Sequence, residues 1–173
     1  DMRSQEIGDL NNTKEKSMVG RQALQVLFEE YRDCEKCPML CESRLQTVFG
    51  SGSANADIVV VGEAPGERED EEGEPFCGKS GKLLMQLFEK AWPKADPRIE
   101  KIRECTDNEE YYRELRYLLE GHIFFTNSVI CRPGDNRTPS NTELKECRER
   151  LHRTIYAIDP VIVIAAGKVA ATA

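Results

Sequence analysis

The sequence predicts an α/β fold, a three-layer sandwich in which a central, mainly parallel sheet lies between two layers of helices. Three short apolar runs rich in β-branched residues predict its core strands: Ile58–Val61, His122–Ile130 and Val161–Ala165. Segments with helical periodicity separate these runs, which is the alternation typical of an α/β fold. The first run has no polar alternation, and such runs are typical of parallel strands covered on both faces.

The length and composition of the chain limit its class. Its 173 residues suffice for one domain with a single core, which we expect over residues 18–173 after a frayed polar leader at residues 1–17. No apolar run approaches the roughly 18 residues that span a membrane, and the N-terminus is charged, unlike a signal peptide. We therefore expect a cytoplasmic monomer without a membrane partner.

Charge is distributed unevenly along the chain. The formal net charge of −7 is unfavourable for a nucleic-acid binder, because such binding depends on neutralising phosphates. Much of the acidic excess lies at residues 67–74 and 104–114, whereas the last quarter is rich in basic side chains: Arg132, Arg137, Lys145, Arg148, Arg150 and Arg153. A local basic face on an acidic protein is compatible with a DNA partner.

The first half of the chain predicts two helices around the first core strand. Apolar spacing indicates an amphipathic helix over Met18–Arg32, and residues 46–57 indicate a loop or short edge strand. The acidic run Glu67–Glu72 is expected to be a solvated loop. From Ser80 to Trp92 we expect a helix that packs on the sheet through an apolar stripe: Leu83, Leu84, Leu87, Phe88 and Ala91.

The second half begins with a charged segment at residues 93–121 that predicts one or two helices. The second core strand follows, and then a rigid turn over Cys131–Pro139. Ser140 and Glu143 match a capping box, which predicts a helix to about Ile158.

The chain ends soon after the third core strand. Gly167 and Lys168 predict the start of another helix, and the sequence ends after about one turn of it.

Polar and flexible residues gather where the first two core strands end. Gly62 and Gly66 let the backbone approach a ligand, Pro65 stiffens the turn between them, and Glu63 places a carboxylate there. Asn127 lies towards the end of the second strand and carries both a donor and an acceptor, although it is also a common turn residue. Ligands bind at the carboxyl ends of strands in open α/β sheets. We therefore expect Glu63 and Asn127 to face one small cavity.

The segment Gly73–Ser80 fits a phosphate-binding pattern, G-x-x-x-x-G-K-[ST]. That pattern needs a strand directly before its first glycine, and here the acidic run precedes it, so we expect no nucleoside triphosphate partner. Lys79 and Ser80 instead begin a helix, whose N-terminus suits a phosphate group. An ordinary serine cap is the alternative.

Seven cysteines in a cytoplasmic composition indicate a metal or cluster site, because disulfides are rare in that compartment. Cys34, Cys37 and Cys41 form a dense C-x2-C-x3-C group. Taken alone, Cys147 would be a buried core cysteine beside Leu144 and Leu151 on its helix.

Several of these segments together resemble the family 4 uracil-DNA glycosylases, the iron-sulfur branch of that superfamily. The similarity begins with GEAPG at residues 62–66 and EREDEEGEPFCGKSGKLL at residues 67–84. It continues with Thr126 and Asn127, the turn Cys131–Pro139, and VIVIAAGKVAA at residues 161–171. The resemblance implies a uracil-DNA glycosylase-like fold and an enzyme that flips uracil out of DNA and hydrolyses its N-glycosidic bond. The product would be an abasic site, as in base excision repair.

The resemblance also implies roles for the candidate residues. Phe76 would stack on the base and Asn127 would hold the uracil edge. Glu63 would orient the attacking water, and Glu69 would assist it or be one more acid in a solvated run. The rest of the pocket would come from the turn after the first strand: Gly62, Ala64, Pro65 and Gly66. The residues expected at the DNA backbone are Lys79, Ser80, Arg132 and Arg137.

The family's cysteine spacing matches Cys34, Cys37, Cys131 and Cys147, which implies a [4Fe-4S] cluster with a structural role. Tetrahedral zinc is the alternative for four cysteines. Cys41 could replace a neighbouring ligand. The two remaining cysteines, Cys77 and Cys105, are expected to be free thiols.

The chain departs from the family pattern in two places. Residues 93–121 are longer than the corresponding connection and are therefore an insertion. Family 4 enzymes continue into a further strand and a His-Pro segment, whereas His122 and His152 match neither. The sequence is therefore either a fragment or a protein without that arm. A non-catalytic iron-sulfur DNA-binding module of the same fold remains the alternative function.

Overall fold

The computed structural model describes residues 18–173, so the leader predicted at residues 1–17 lies outside the described residues. Helix α1 covers residues 18–31 of the described chain. The other helices are α2 (Pro38–Ser43), α3 (Glu67–Glu72), α4 (Lys79–Ala91), α5 (Pro97–Arg103), α6 (Asn108–Glu120) and α7 (Asn141–Ile158). The strands are β1 (Ser51–Gly52), β2 (Ile58–Gly62), β3 (Ile123–Asn127) and β4 (Ile162–Ala165).

The four strands form one sheet in the order β1-β3-β2-β4. Strand β2 pairs in parallel with β3 and with β4, and the short β1 pairs antiparallel with β3. The mainly parallel sheet predicted from the apolar runs is therefore confirmed.

Strand β3 is shorter than predicted, because it ends at Asn127 and not at Ile130. Beyond this point the chain turns across the end of β2. The Ser128 amide donates to the Gly62 carbonyl at 2.8 Å, and the Val129 amide donates to the Glu63 carbonyl at 3.2 Å. The second strand therefore ends beside the turn that follows the first.

Helices cover both faces of the sheet. Val59 and Val61 point into a core shared with α1 and α7, whereas Val60 points into a second core shared with α4, α5 and α6. This alternation is the period-two pattern of a strand that is buried on both sides. The three-layer arrangement is therefore confirmed.

The acidic run forms a short helix, α3, and so the prediction of a solvated loop was wrong. Negative side chains in its first turn are favourable at the positive end of a helix dipole. Asp70 is fully buried and accepts hydrogen bonds from the backbone amides of Leu45 and Gln46. This carboxylate ties α3 to the segment that follows the first cysteines.

Residues 93–121 contain two helices, α5 and α6. Asp96 and Asp107 cap them by accepting hydrogen bonds from backbone amides in their first turns. Their apolar faces bury Ile99 and Leu115 in the core that contains Val60. Helix α6 contacts both β1 and β3, and α5 packs against α6.

Helix α7 begins with the predicted capping box, in which the Ser140 hydroxyl and the Glu143 carboxylate each accept a backbone amide. After β4, the helix expected from Gly167 is only a short 3-10 turn at Ala170–Thr172. Within residues 18–173, no helix combines the length and apolar composition needed to cross a membrane.

Candidate active site

The carboxyl ends of β2 and β3 lie side by side, with Gly62 paired to Asn127 in the sheet register. The turn after β2 and the end of β3 open into a cavity of about 420 Å³. Glu63 and Asn127 both line it, as do Phe76 and Glu69. The structure therefore brings these four side chains together at the place where ligands bind in open α/β sheets.

Gly62 leaves the space that these side chains occupy. A Cβ atom at this position would collide with the Oδ1 atom of Asn127 and would lie 2.8 Å from the Phe76 ring. Any side chain here would displace the amide or the ring, so the close approach requires glycine.

Asn127 is held from behind by a buried guanidinium. Arg150 is fully buried and donates to the backbone carbonyls of Asn127 at 2.6 Å and Ser128 at 3.0 Å. Its other terminal nitrogen donates to the Thr126 hydroxyl at 3.0 Å. These bonds fix the end of β3, and Asn127 is itself 4 % exposed. Its amide therefore reaches the cavity from a rigid backbone.

Phe76 has a backbone conformation that is rare for a bulky residue, with a φ of +56°. Its ring lies 5.7 Å from that of Phe125, and α4 approaches its backbone so closely that a Cβ at Gly81 would collide with the Phe76 carbonyl. Strained conformations of this kind persist only where the surroundings enforce them, and they cluster at functional sites.

The two candidate carboxylates have different surroundings. Glu63 is half-buried in the turn after β2, and its side chain lines the cavity. Glu69 also lines the cavity, and its carboxylate accepts the Gly66 amide at 2.7 Å. Glu69 therefore caps the N-terminus of α3 as well as facing the cavity, so a merely solvated acid does not describe it.

At the start of α4, Lys79 and Ser80 are exposed. The N-cap residue is Gly78, and no side chain caps this helix, so the alternative of a serine cap was wrong. Ser80 lines the cavity. The first backbone amides of α4 have no acceptor within the helix, and they lie next to the candidate site.

The basic residues of the last quarter do not form one open basic face. Arg150 is buried, Arg153 pairs with Glu30, and Arg137 forms a bidentate pair with Glu143 at 2.7 and 2.9 Å. Arg132 donates to Asn136 and lies 3.4 Å from Glu67. The expectation of a shared basic face was therefore wrong for Arg150, and carboxylates partly balance Arg132, Arg137 and Arg153.

The candidate cysteines are neighbours in one core. Cys131 and Cys147 are buried there, and Cys34 and Cys37 pack against them. Burial raises the pKa of Cys37 to about 12, and the other three sulfur atoms add to that shift. No group of three or more His, Cys, Asp or Glu side chains within residues 18–173 is arranged as a site for a metal ion.

Two guanidinium groups, those of Arg44 and Arg150, lie beside this cysteine group. Arg44 donates to the Cys131 sulfur at 2.8 Å and to the Cys34 carbonyl at 2.7 Å. The Nε atom of Arg150 is buried and has no hydrogen-bond partner among the described residues. Burial lowers the pKa of Arg150, whereas Cys147 and Cys131 act in the opposite direction. A buried cation without a carboxylate partner is costly, and thiolates at these positions would compensate it.

The sequence did not identify three apolar contributors to the cavity. Leu83 and Leu87 were expected to pack on the sheet, but they are 58 % and 54 % exposed and line the cavity. Ala166, just after β4, lines it too. Helical periodicity identified an apolar stripe on α4, but it does not show where the neighbouring layer stops.

Comparison with known proteins agrees with this geometry. The family model described as "Uracil DNA glycosylase superfamily" matches residues 49–173. A type-4 uracil-DNA glycosylase of Saccharolobus solfataricus is 37% identical over 145 residues, 84% of this chain and 56% of that protein. A type-4 enzyme of Sulfurisphaera tokodaii is 36% identical over 146 residues, 84% of this chain and 55% of that protein.

A third relative, the type-4 uracil-DNA glycosylase of Pyrobaculum aerophilum, is 34% identical over 150 residues, 87% of this chain and 63% of that protein. The chain thus spans between just over half and about two thirds of the length of these relatives. The matched residues include both strand ends and the cavity between them. The chain belongs to the uracil DNA glycosylase superfamily.

Proposed function

We propose that this protein removes uracil from DNA by hydrolysing the N-glycosidic bond and leaves an abasic site. The observation that carries the proposal is the single cavity into which Glu63, Asn127 and Phe76 converge. Its volume of about 420 Å³ is typical of small-molecule sites, and a base must leave the duplex to enter a pocket of this kind. The names of the similar type-4 proteins support the same activity.

Asn127 and Phe76 are the residues proposed to recognise the base. The Phe76 ring offers an aromatic face on which an extruded base stacks. The Asn127 amide provides a donor and an acceptor for the hydrogen-bonding edge of uracil. Because Arg150 fixes the backbone of Asn127, this edge is read by a preorganised group.

Glu63 is the proposed catalytic carboxylate. As the bond between C1′ and N1 breaks, its electron pair leaves with uracil and positive charge develops on the sugar. A carboxylate beside the sugar stabilises that charge and accepts a proton from the water whose oxygen bonds to C1′. Glu69, held by the Gly66 amide, adds negative charge to the same cavity.

We also propose that Cys34, Cys37, Cys131 and Cys147 hold a [4Fe-4S] cluster. The four sulfur atoms share one core beside two guanidinium groups, which suits a negatively charged group of four thiolates. Tetrahedral zinc is the alternative occupant of a four-cysteine site. The cluster would tie the residues after α1 to the loop after β3, and the hydrolysis needs no redox step.

The proposed partner is DNA containing uracil, bound by a cytoplasmic monomer. Lys79 and Ser80 at the uncapped end of α4 would meet a phosphate next to the flipped nucleotide. Arg132 and Arg137 lie on the loop after β3 and would exchange their present carboxylate partners for phosphates.

A strand-cleavage assay tests the activity. A single-stranded oligonucleotide with one uracil is incubated with the protein, and abasic sites are revealed by alkali. We expect excision by the wild type and a loss of about 100-fold or more for Glu63→Ala and for Asn127→Ala. Glu71→Ala, which removes an exposed carboxylate from α3, is the matched control and is expected to behave as the wild type.

Binding of the oligonucleotide without alkali-sensitive sites would overturn the proposal and would favour a non-catalytic DNA-binding module. Undiminished excision by both Glu63→Ala and Asn127→Ala would also contradict the roles given to these residues.

A further inference from the structure

We propose that Arg116, on helix α6, is a positioning residue that holds Phe76 in its base-stacking conformation. This inference rests on the proposed function in one respect, namely that Phe76 stacks on the extruded base. The contacts that carry it lie outside the cavity that contains Glu63 and Asn127, since Arg116 does not line that cavity.

Arg116 connects three parts of the chain. Its side chain is 10 % exposed. It donates to the Pro75 carbonyl at 2.9 Å and to the Ser51 hydroxyl at 2.6 Å. The carboxylates of Glu74 and Glu120 lie 3.0 and 2.8 Å away and balance its charge. One guanidinium thus fixes the residues just before Phe76 to β1 and α6.

The Arg116 guanidinium also contacts Phe125, the aromatic residue against which the Phe76 ring packs. It lies 5.7 Å from the centre of the Phe125 ring, in a cation–π arrangement. The Phe76 ring packs against Phe125 at a centroid distance of 5.7 Å. Arg116 therefore acts on Phe76 through both its backbone and its aromatic neighbour.

Phe76 needs this support because its positive φ is unfavourable. A bulky residue in the left-handed region is a genuine outlier, and it persists only where several contacts enforce it. From one side, α4 approaches the Phe76 backbone at Gly81. From the other side, Arg116 holds the preceding carbonyl.

An alternative position for the ring exists beside the loop. Phe76 also lines a second cavity of about 340 Å³, between α4 and α6, together with Met85, Tyr112 and Arg116. If the bond from Arg116 to Pro75 were lost, the loop could relax to an ordinary φ and the ring could move towards this space. Arg116 would then determine how often Phe76 is ready to stack.

A double-mutant cycle tests the coupling. Uracil excision is measured for the wild type, Arg116→Met, Phe76→Ala and the double variant. Methionine keeps the stem of arginine and removes its hydrogen bonds, so we expect kcat/KM to fall about tenfold in Arg116→Met. In a Phe76→Ala background the same change should cost less than about twofold, because coupled residues are not additive. Arg113→Met, on the same helix and the same cavity wall, is the control and should match the wild type.

Equal losses in the two backgrounds would overturn the proposal, because they would show that Arg116 acts independently of Phe76. Wild-type activity in Arg116→Met would overturn it too. Arg116→Lys should restore part of the activity of Arg116→Met, since lysine can still donate to the Pro75 carbonyl.

Amide hydrogen exchange separates this proposal from the proposed function, because it needs no activity. Peptides covering residues 73–78 should exchange at least about tenfold faster in Arg116→Met than in the wild type, with α7 peptides unchanged. Faster exchange at residues 73–78 alone would support positioning even if the wild type excised no uracil. Unchanged exchange there, or equal acceleration in α7, would contradict it.

Discussion

At the scale of single residues, the candidate site depends on small side chains that let large ones converge. Gly62 is the clearest case, because its missing Cβ makes room for both the Asn127 amide and the Phe76 ring. The sequence predicted that this glycine serves a ligand. It did not show that the nearest atoms would belong to Asn127, since the two residues are adjacent only through the pairing of β2 with β3.

The first prediction concerns this glycine. Gly62→Ala should lower kcat/KM for uracil excision by about 10-fold to 100-fold, because the added methyl group displaces the amide or the ring by enough to disturb their alignment. Gly134→Ala is a suitable control, since its added Cβ would meet only the Ser43 Cβ at an ordinary 3.6 Å. Equal activities of the two variants would contradict the packing described around Gly62.

The burial of Arg150 is a property that the sequence did not predict. Its position in a basic segment suggested a DNA contact, but its acceptors are Thr126, Asn127 and Ser128, more than twenty residues away along the chain. Only the packing of α7 against the sheet brings them together. Charge composition therefore could not predict that this cation is buried.

At the scale of elements, strands and long helices followed from local patterns, whereas α3 did not. The β-branched runs and the capping box of α7 are signals that lie within a few residues. Helix α3 is six residues of acid and arginine, and its stability depends on distant partners: Leu45 and Gln46 donate to the buried Asp70. Its sequence alone reads as solvated.

The second prediction follows from that anchor. Asp70→Ala should lower the free energy of unfolding by about 2–4 kcal/mol, because it leaves buried backbone amides without their charged acceptor. Denaturant unfolding measures the change. Glu71→Ala, the next residue on the same helix, is exposed and should change stability by less than about 0.5 kcal/mol. Similar losses in both variants would mean that Asp70 is not the anchor.

The third prediction concerns the start of α7. The Arg137 guanidinium lowers the pKa of Glu143 to about 2, from an ordinary value of 4.5. A carboxylate with a lowered pKa in the folded state stabilises the fold above its unfolded pKa and loses this contribution as the pH falls. The stability advantage of the wild type over Glu143→Gln should therefore be full at pH 6 and decline from about pH 4.5 towards pH 2. A pH-independent difference in denaturant unfolding would contradict this pairing.

At the scale of the whole molecule, two helical layers hold a sheet whose ends carry the candidate chemistry, and the cysteine group lies on the α1 and α7 side. Arg150 links that group to Asn127, because it donates to the Asn127 carbonyl and its charge interacts with Cys147 and Cys131. The family resemblance implied the members of this group, and all four cysteines lie in or against one core. It could not predict the guanidinium groups that surround them.

The fourth prediction is that this group binds iron. Protein purified without oxygen should contain about four iron atoms per chain and absorb broadly in the visible range. Cys147→Ala should lose the iron and unfold about 10 °C lower, since the loop after β3 is no longer tied to the N-terminal segment. Cys105→Ala should keep both iron content and melting temperature. Stoichiometric zinc in place of iron would contradict the cluster and would show that the four cysteines bind zinc.

The measurement that tests the central claim most directly is a crystal structure of the protein with uracil bound. We expect the uracil ring against Phe76, its hydrogen-bonding edge on the Asn127 amide, and the carboxylate of Glu63 at the open side where the sugar would lie. Uracil bound elsewhere, or coordinates in which Glu63 and Asn127 face separate surfaces, would contradict the account.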